Sequence, residues 1–357
     1  MRRCAFYITV DDNYLGIGLA QARRIHDLWD IDVHLFVEGT GGITRDTIGE
    51  RGVFVHHNLM HDLIPDNLPS TKSWPRIVYG RIFAPRLLPD YDRLIYIDAD
   101  IYPVHGAREI LNIDLPGGLA AVQDSASLGF SPHGNALSRN DWLRSIGLET
   151  PRYFNAGVLM LDQSVWSSID FASGLSTYMQ SYSAVAKMQD QDYLNYQFQG
   201  IWTELSPRFN YQKGHFNYGY ESVFPPVFVH FSSFQKPWLK PDASDSVQGQ
   251  FYPIYERMFR AVGVDPAQYR QKTQENILRR GRTAIRSYLS QNGIVTSKER
   301  RQRAEWDLRA AAMYAALQED GQLGRYADFD FSLSEMPRPQ LGFDGRYLRR
   351  SLAIDLA

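Results

Sequence analysis

A single cysteine, Cys4, in 357 residues rules out any intrachain disulfide and fits a chain that works in a reducing compartment. Long apolar runs are also missing. No stretch approaches the roughly 20 consecutive apolar residues that a membrane-spanning helix requires. The first apolar run meets Asp11 and Asp12 too soon to act as a secretion signal. The expected location is therefore cytoplasmic. Neither sign of charge dominates: 38 basic against 40 acidic residues give a formal net charge of −2, which argues against bulk attraction to nucleic acid. The third glycine of a dinucleotide-binding turn is absent, because "DDNYLGIGLA" offers only Gly16 and Gly18 and places acids after the first apolar run. A nicotinamide-dependent dehydrogenase is disfavoured on that ground. There is no internal repeat and no low-complexity tract.

What is present is enough apolar residue, 44 % of the chain, to build a substantial core. Short β-rich runs occur at 5–10 ("AFYITV"), 32–39 ("DVHLFVEG"), 53–58 ("VFVHHN") and 93–98 ("RLIYID"). Amphipathic segments at 15–29 and 76–88 read as helices. Strands alternating with helices imply an α/β fold with parallel pairing and right-handed crossovers. Ligands in such folds sit beyond the carboxyl ends of the strands. Two acidic clusters fall at such ends, "VDDN" (10–13) and "DAD" (98–100). If their strands are neighbours, one cleft collects both.

Asp98 and Asp100 invite a chemical reading. Residues two apart on a strand share a face, roughly 6 to 7 Å apart, and like charges held together are relieved by a hard cation. The alternative is a carboxylate that caps the next turn while the other meets solvent. Further along, 118–124 reads as a strand, 153–166 as a strand leading into a helix, and 188–200 as a helix. Asp190 and Asp192 near the start of that helix have an ordinary account in the helix macrodipole. His230, near the end of the apolar run 225–231, reads by itself more readily as a hydrogen-bonded core histidine than as a ligand. Residues 270–310 carry eleven basic residues against four acids, with Leu278, Ile285, Tyr288 and Leu289 at helical spacing. Such a segment either contacts an anionic membrane face peripherally or forms a solvated helix on the main domain.

Taken in order, "TVDDNY" (9–14), "YGRIFAPRLLPDYDRLIYIDADIYPV" (79–104), "YFNAGVLMLD" (153–162), "QDQDYLN" (189–195) and "HFSSFQKPW" (230–238) resemble glycosyltransferase family 8. That family of retaining transferases includes bacterial lipopolysaccharide galactosyl- and glucosyltransferases and glycogenin. The resemblance implies a GT-A fold, with a Rossmann-like nucleotide-binding mixed sheet flanked by helices over residues 1–240. A mostly helical, basic extension would follow over 241–357. It implies a divalent metal, manganese or magnesium, on Asp98, Asp100 and His230. Carboxylates plus imidazole suit such an ion better than the N/S sets of zinc.

The same resemblance carries other roles residue by residue. Asp11, Asn13 and Tyr14 would contact the uracil and ribose of a UDP-sugar. Arg81 would lie near donor sugar and phosphates, Lys236 would neutralise the diphosphate, and Asn155, Ala156 and Gly157 would lie close to the donor. Asp124, Asp190 and Gln191 would surround the transferred sugar, with Asp192 adjacent. Ser233 stands where the family commonly has glycine; it would either crowd the phosphate or donate a hydrogen bond to it. The implied reaction moves galactose or glucose from UDP-galactose or UDP-glucose to a saccharide or glycolipid acceptor, such as lipopolysaccharide, at the inner face of the membrane. Self-glucosylation in the manner of glycogenin and a catalytically inactive sugar-nucleotide binder are the alternatives. The sequence sets no oligomeric state.

Overall fold

A computed structural model of the chain describes residues 2–39, 44–47, 52–71, 74–125, 139–150, 152–212, 225–232, 236–239 and 247–269, and position 285. Its centre is β1 (Cys4–Asp11), buried continuously from Ala5 to Val10. A strand covered on both faces needs no alternation of apolar and polar residues, which is why its sequence is an unbroken apolar run. The other strands are β2 (Asp32–Glu38), β3 (Thr44–Thr47), β4 (Val53–His57), β5 (Arg93–Ile97), β6 (Ile101–Pro103), β7 (Leu119–Gln123), β8 (Phe154–Asp162), β9 (Thr203–Glu204), β10 (Tyr211–Gln212) and β11 (Phe228–His230).

Eight of them form one sheet in the order β3-β4-β2-β1-β5-β8-β7-β9. The pairs β1–β2, β1–β5 and β2–β4 are parallel, as the strand–helix alternation predicts. β8 runs antiparallel to β5 and β7, and β3 antiparallel to β4, so the whole sheet is mixed. A small second sheet, β10-β11-β6, grows from the continuation of β5. Since β1 and β5 are neighbours, their two acidic ends do meet at one edge.

The helices are α1 (Leu15–Trp29), α2 (Gly80–Phe83), α3 (Arg139–Ser145), α4 (Gln163–Ser167), α5 (Phe171–Tyr182), α6 (Asp190–Gln197) and α7 (Val247–Ala261). The segment 76–88, expected as one helix, is α2 between two 3-10 turns, Arg76–Tyr79 and Ala84–Leu87. Pro85 has no N–H to continue an α-helical ladder, and the tighter turn begins there.

Alternate β1 side chains feed two cores. Tyr7 joins Tyr96, Leu159, Trp166 and Leu194 on one face, while Phe6 and Ile8 join Trp29, Val37 and Ile95 on the other. Trp29 stacks on Phe228 at 5.8 Å and so ties α1 to the small sheet. A third cluster packs α7 (Phe251, Tyr255, Phe259) against Ile17, Ala20, Tyr102, Val229 and Trp238. A β-carbon at Gly16 would lie 2.6 Å from the Tyr269 hydroxyl and 2.9 Å from a Val264 methyl, so glycine lets the chain after α7 cross the start of α1. Residues 247–269, beyond the boundary expected at 240, thus rest directly on the elements that frame the cleft. The basic segment 270–310 lies outside the described residues except at position 285. Among the described residues no helix is long and apolar enough to cross a membrane.

Candidate active site

β5 ends at Ile97, and the chain turns through Asp98, Ala99 and Asp100, closed by the Ile101 N–H donating to the Asp98 carbonyl at 3.1 Å. The two carboxylates therefore converge by a turn and not by strand alternation, which corrects the geometric reason given by the sequence. β6 follows at once and pairs with β11, setting Ile101 opposite His230. That pairing delivers the imidazole: His230 Nε2 lies 3.3 Å from Asp100 Oδ1 and 3.9 Å from Asp98 Oδ2. One ligand atom from each of the three residues falls within 4.8 Å of the others. Two hard oxygens and one imidazole nitrogen facing a common point are a donor set suited to a divalent cation such as manganese or magnesium.

Each carboxylate has a second partner. Lys236 contacts Asp100 Oδ2 and also donates to the Phe231 carbonyl at 3.0 Å. Burial pushes the Asp100 carboxyl upward, but Lys236 and His230 outweigh it and hold the group well below the usual carboxylate range. Asp98 Oδ1 accepts from the Tyr96 hydroxyl at 2.7 Å and lies 3.1 Å from Arg81 Nη2.

Arg81 is itself a tie. Its guanidinium lies over the Tyr96 ring at 4.8 Å, donates from Nη1 to the Ala156 carbonyl at 2.9 Å and from Nε to the Val78 carbonyl at 3.2 Å. Nε also stands 2.9 Å from Asp190 Oδ2, an ion pair by proximity that leaves this buried oxygen without a hydrogen-bond donor. Burial opposes the charge on Arg81, yet Asp190 and Asp98 raise its pKa above the ordinary value. Every guanidinium nitrogen has a protein partner, so Arg81 braces the site from behind.

On the far side of Arg81 lies an amide-centred network. Gln191 Oε1 accepts the Ala156 N–H at 2.9 Å, and its Nε2 donates to Asp124 Oδ2 at 3.1 Å and to the Tyr153 hydroxyl at 3.0 Å. Asn155 Nδ2 donates to the same Asp124 oxygen at 3.1 Å. Asp192 is fully buried, accepting from the Tyr153 hydroxyl at 2.5 Å and from the Met188 N–H at 2.9 Å. Burial pushes both Asp190 and Asp192 up to about 6, with Arg81 pulling Asp190 the other way. Both acids do occupy the first turn of α6, so the macrodipole account and the site account coincide. The helix is entered through Gln189 at φ 42°, a strained setting for a non-glycine residue immediately before Asp190.

At the end of β1, Asp11 Oδ1 accepts the Tyr14 N–H at 3.2 Å and caps the turn that carries exposed Asn13. Tyr14 meets the edge of Trp238 at 5.9 Å, and Trp238 packs on Tyr255 of α7 at 5.5 Å. Gly157 has a role the sequence did not assign. A β-carbon there would sit 2.5 Å from His230 Cε1, so the missing side chain makes room for the imidazole ring. Ser233 lies outside the described residues. Sequence reasoning missed Tyr96, Tyr153 and Asn210, all buried; Tyr96 and Tyr153 stand within the quoted stretches, but nothing in "SPRFNYQ" (206–212) marks Asn210.

With this geometry in place, likeness to known proteins is informative. The family model for glycosyl transferase family 8 matches residues 46–242, so the β1 end with Asp11, Asn13 and Tyr14 lies outside the match. The lipopolysaccharide 1,2-glucosyltransferase of Escherichia coli K12 is 30 % identical over 183 residues, 48 % of this chain and 52 % of that protein. Glycosyltransferase GlyF of Streptococcus pneumoniae serotype 4 is 28 % identical over 179 residues, 47 % of this chain and 40 % of the relative. The chain thus spans about half the length, or less, of these curated relatives. Among solved structures, galactosyltransferase LgtC in complex with donor and acceptor sugar analogs superposes with a TM-score of 0.55 at 20 % identity, covering 72 % of this chain and 95 % of that one. The bifunctional glycosyltransferase WbbM gives 0.54 at 17 % identity, covering 72 % of this chain and 50 % of that one. At such identities the superpositions carry the fold alone.

Proposed function

The chain belongs to glycosyl transferase family 8 and has the GT-A fold, and on that premise we propose that it is a retaining hexosyltransferase taking galactose or glucose from a UDP-sugar. The acceptor is a saccharide, of which the lipopolysaccharide core is the leading instance, given the relative named lipopolysaccharide 1,2-glucosyltransferase. The observation that carries this reading is the convergence of Asp98, Asp100 and His230 from two separate segments, flanked by Lys236 on one side and by the Arg81–Asp190–Gln191 network on the other.

Asp98, Asp100 and His230 would hold a divalent cation, manganese or magnesium, whose Lewis acidity when bound offsets negative charge on the departing diphosphate. Lys236 supplies a second positive charge beside it. Tyr14 stacks on the base, steadied by Trp238. Asp190 holds Arg81 beside the donor through its ion pair. Gln191 presents an amide to the sugar face, and an amide oxygen is too weak a nucleophile to favour a covalent adduct. Retention then follows a front-face route, in which the acceptor hydroxyl attacks beside the leaving phosphate and passes its proton to a phosphate oxygen. Asp192, turned to Tyr153, serves as a positioning residue. The segment 270–310 would bring the enzyme to an anionic membrane face.

The test is release of UDP from a panel of UDP-sugars with manganese, with EDTA and with Asp100→Ala. Release from one hexose donor, lost with EDTA and in the variant, is expected. Release unaffected by both would overturn the reading.

A further inference from the structure

His230 can serve as a ligand only if Nε2 carries a lone pair, and a neutral imidazole puts its proton on either nitrogen. The surrounding side chains decide which. The Asp124 carboxylate when ionised can only accept, so the Asn155 atom 3.1 Å from it is the nitrogen. The Asn155 oxygen consequently faces the other way, where it accepts the Gly157 N–H at 3.0 Å and the Asn210 Nδ2 at 2.9 Å. The backbone N–H of Gly157 can only donate, which fixes the same orientation independently. With its nitrogen committed to Asn155, Asn210 turns its oxygen to His230 Nδ1 at 2.9 Å. An amide oxygen cannot donate, so Nδ1 must.

We infer that Asp124, Asn155 and Asn210 form a hydrogen-bond relay of fixed polarity that locks His230 in the Nδ1–H tautomer, leaving the Nε2 lone pair aimed between Asp98 and Asp100. Asn210 is the positioning residue of the relay. It is completely buried, and Asp124 and Asn155 are at most 8 % exposed, so water does not compete for these bonds. Gly157 completes the device by leaving room for the ring. The same Asp124 oxygen accepts from Gln191, so one carboxylate orients both the cation side and the sugar side of the cleft.

Nitrogen-15 NMR of histidine-labelled, metal-free protein at about pH 8, where an ordinary imidazole is neutral, reads the tautomer directly, with His230→Asn assigning the signal. The relay predicts a protonated Nδ1 in the wild type. A neutral ring with its proton on Nε2 and a bare Nδ1 would overturn it. The second arm rests on the proposed cation site and uses manganese alone: Asn210→Leu should bind it at least roughly 10-fold more weakly, as loss of such a partner to a ligating histidine does. Asn210→Asp keeps the acceptor for Nδ1 while giving up the donor to Asn155, so it should lose clearly less affinity than Asn210→Leu. Equal affinities in all three proteins, or equal losses in both variants, would overturn the relay. A wild type with Nδ1 protonated that binds no manganese would instead refute the cation site and leave the tautomer assignment standing.

Discussion

Tyr153 donates its hydroxyl proton to Asp192 across 2.5 Å and, through the same oxygen, accepts the side-chain amide of Gln191 at 3.0 Å. The phenol, with Asp124 and the Ala156 N–H, fixes which way the two ends of the Gln191 amide point. Tyr153→Phe removes both bonds and leaves Asp192 buried with one acceptor unfilled. The variant should lose about 1–3 kcal/mol of stability, and its turnover should fall more than its donor affinity, because the cation-side residues are untouched. Urea unfolding paired with steady-state kinetics checks this; loss confined to donor affinity would refute it.

Arg81 joins Asp98 and Asp190 within a buried setting. Arg81→Met deletes the shared cation and leaves buried Asp190 and half-buried Asp98 without it. The cost should be on the order of 3–5 kcal/mol. Arg81→Lys keeps the charge but not the planar fork that reaches both acids and the Ala156 carbonyl, so it should recover only part of the stability. A thermal-melt series of the three proteins decides it, and full recovery by lysine would refute the bracing role.

Gly157→Ala places a β-carbon 2.5 Å from the His230 ring, closer than any real contact allows, so the ring must move. Manganese affinity should drop by roughly 10-fold or more, the usual effect of disturbing a ligand's support. The fold should survive, since Gly157 is not among the positive-φ glycines. Circular dichroism and a manganese titration together test both halves.

Asp192 gives a pH signature of definite sign. Burial pushes its carboxyl up to about 6 in the folded chain, whereas an unfolded aspartate ionises near 3.9. Between about pH 4 and 6 the folded state therefore holds more protons than the unfolded one, and stability falls as pH rises through that window. Asp100, held low by Lys236 and His230, acts oppositely: its contribution is present above the unfolded value and is lost as pH falls below it. Urea midpoints across this range should decline from about pH 4 to 6 in the wild type and show a shallower decline in Asp192→Asn. Identical slopes would remove Asp192 from the account.

The elements that the sequence makes visible are those whose cause is local. β1 and β5 announce themselves because strands buried on both faces are continuous apolar runs, and α1 falls on Leu15–Trp29 as its apolar spacing predicts. Asp98, Asp100 and His230 were legible through the order of short stretches, but the turn that joins the two aspartates was not, since a tripeptide at a strand end reads equally as strand. The break in 76–88 could have been read from Pro85. Asn210 and Tyr153 were not legible, because their meaning lies in partners 20 and 39 residues away, His230 and Asp192, that only the packed sheet brings near.

The central claim is that ligands from the turn after β5 and from β11 form one site for a cation and a nucleoside diphosphate. Calorimetric titration of UDP into the protein, with and without manganese, tests it most directly when repeated on Asp100→Ala and His230→Ala. The account predicts tight binding that depends on manganese in the wild type, and loss of the manganese-dependent increment in both variants. UDP binding of equal strength with and without the metal, or unchanged by either substitution, would contradict it.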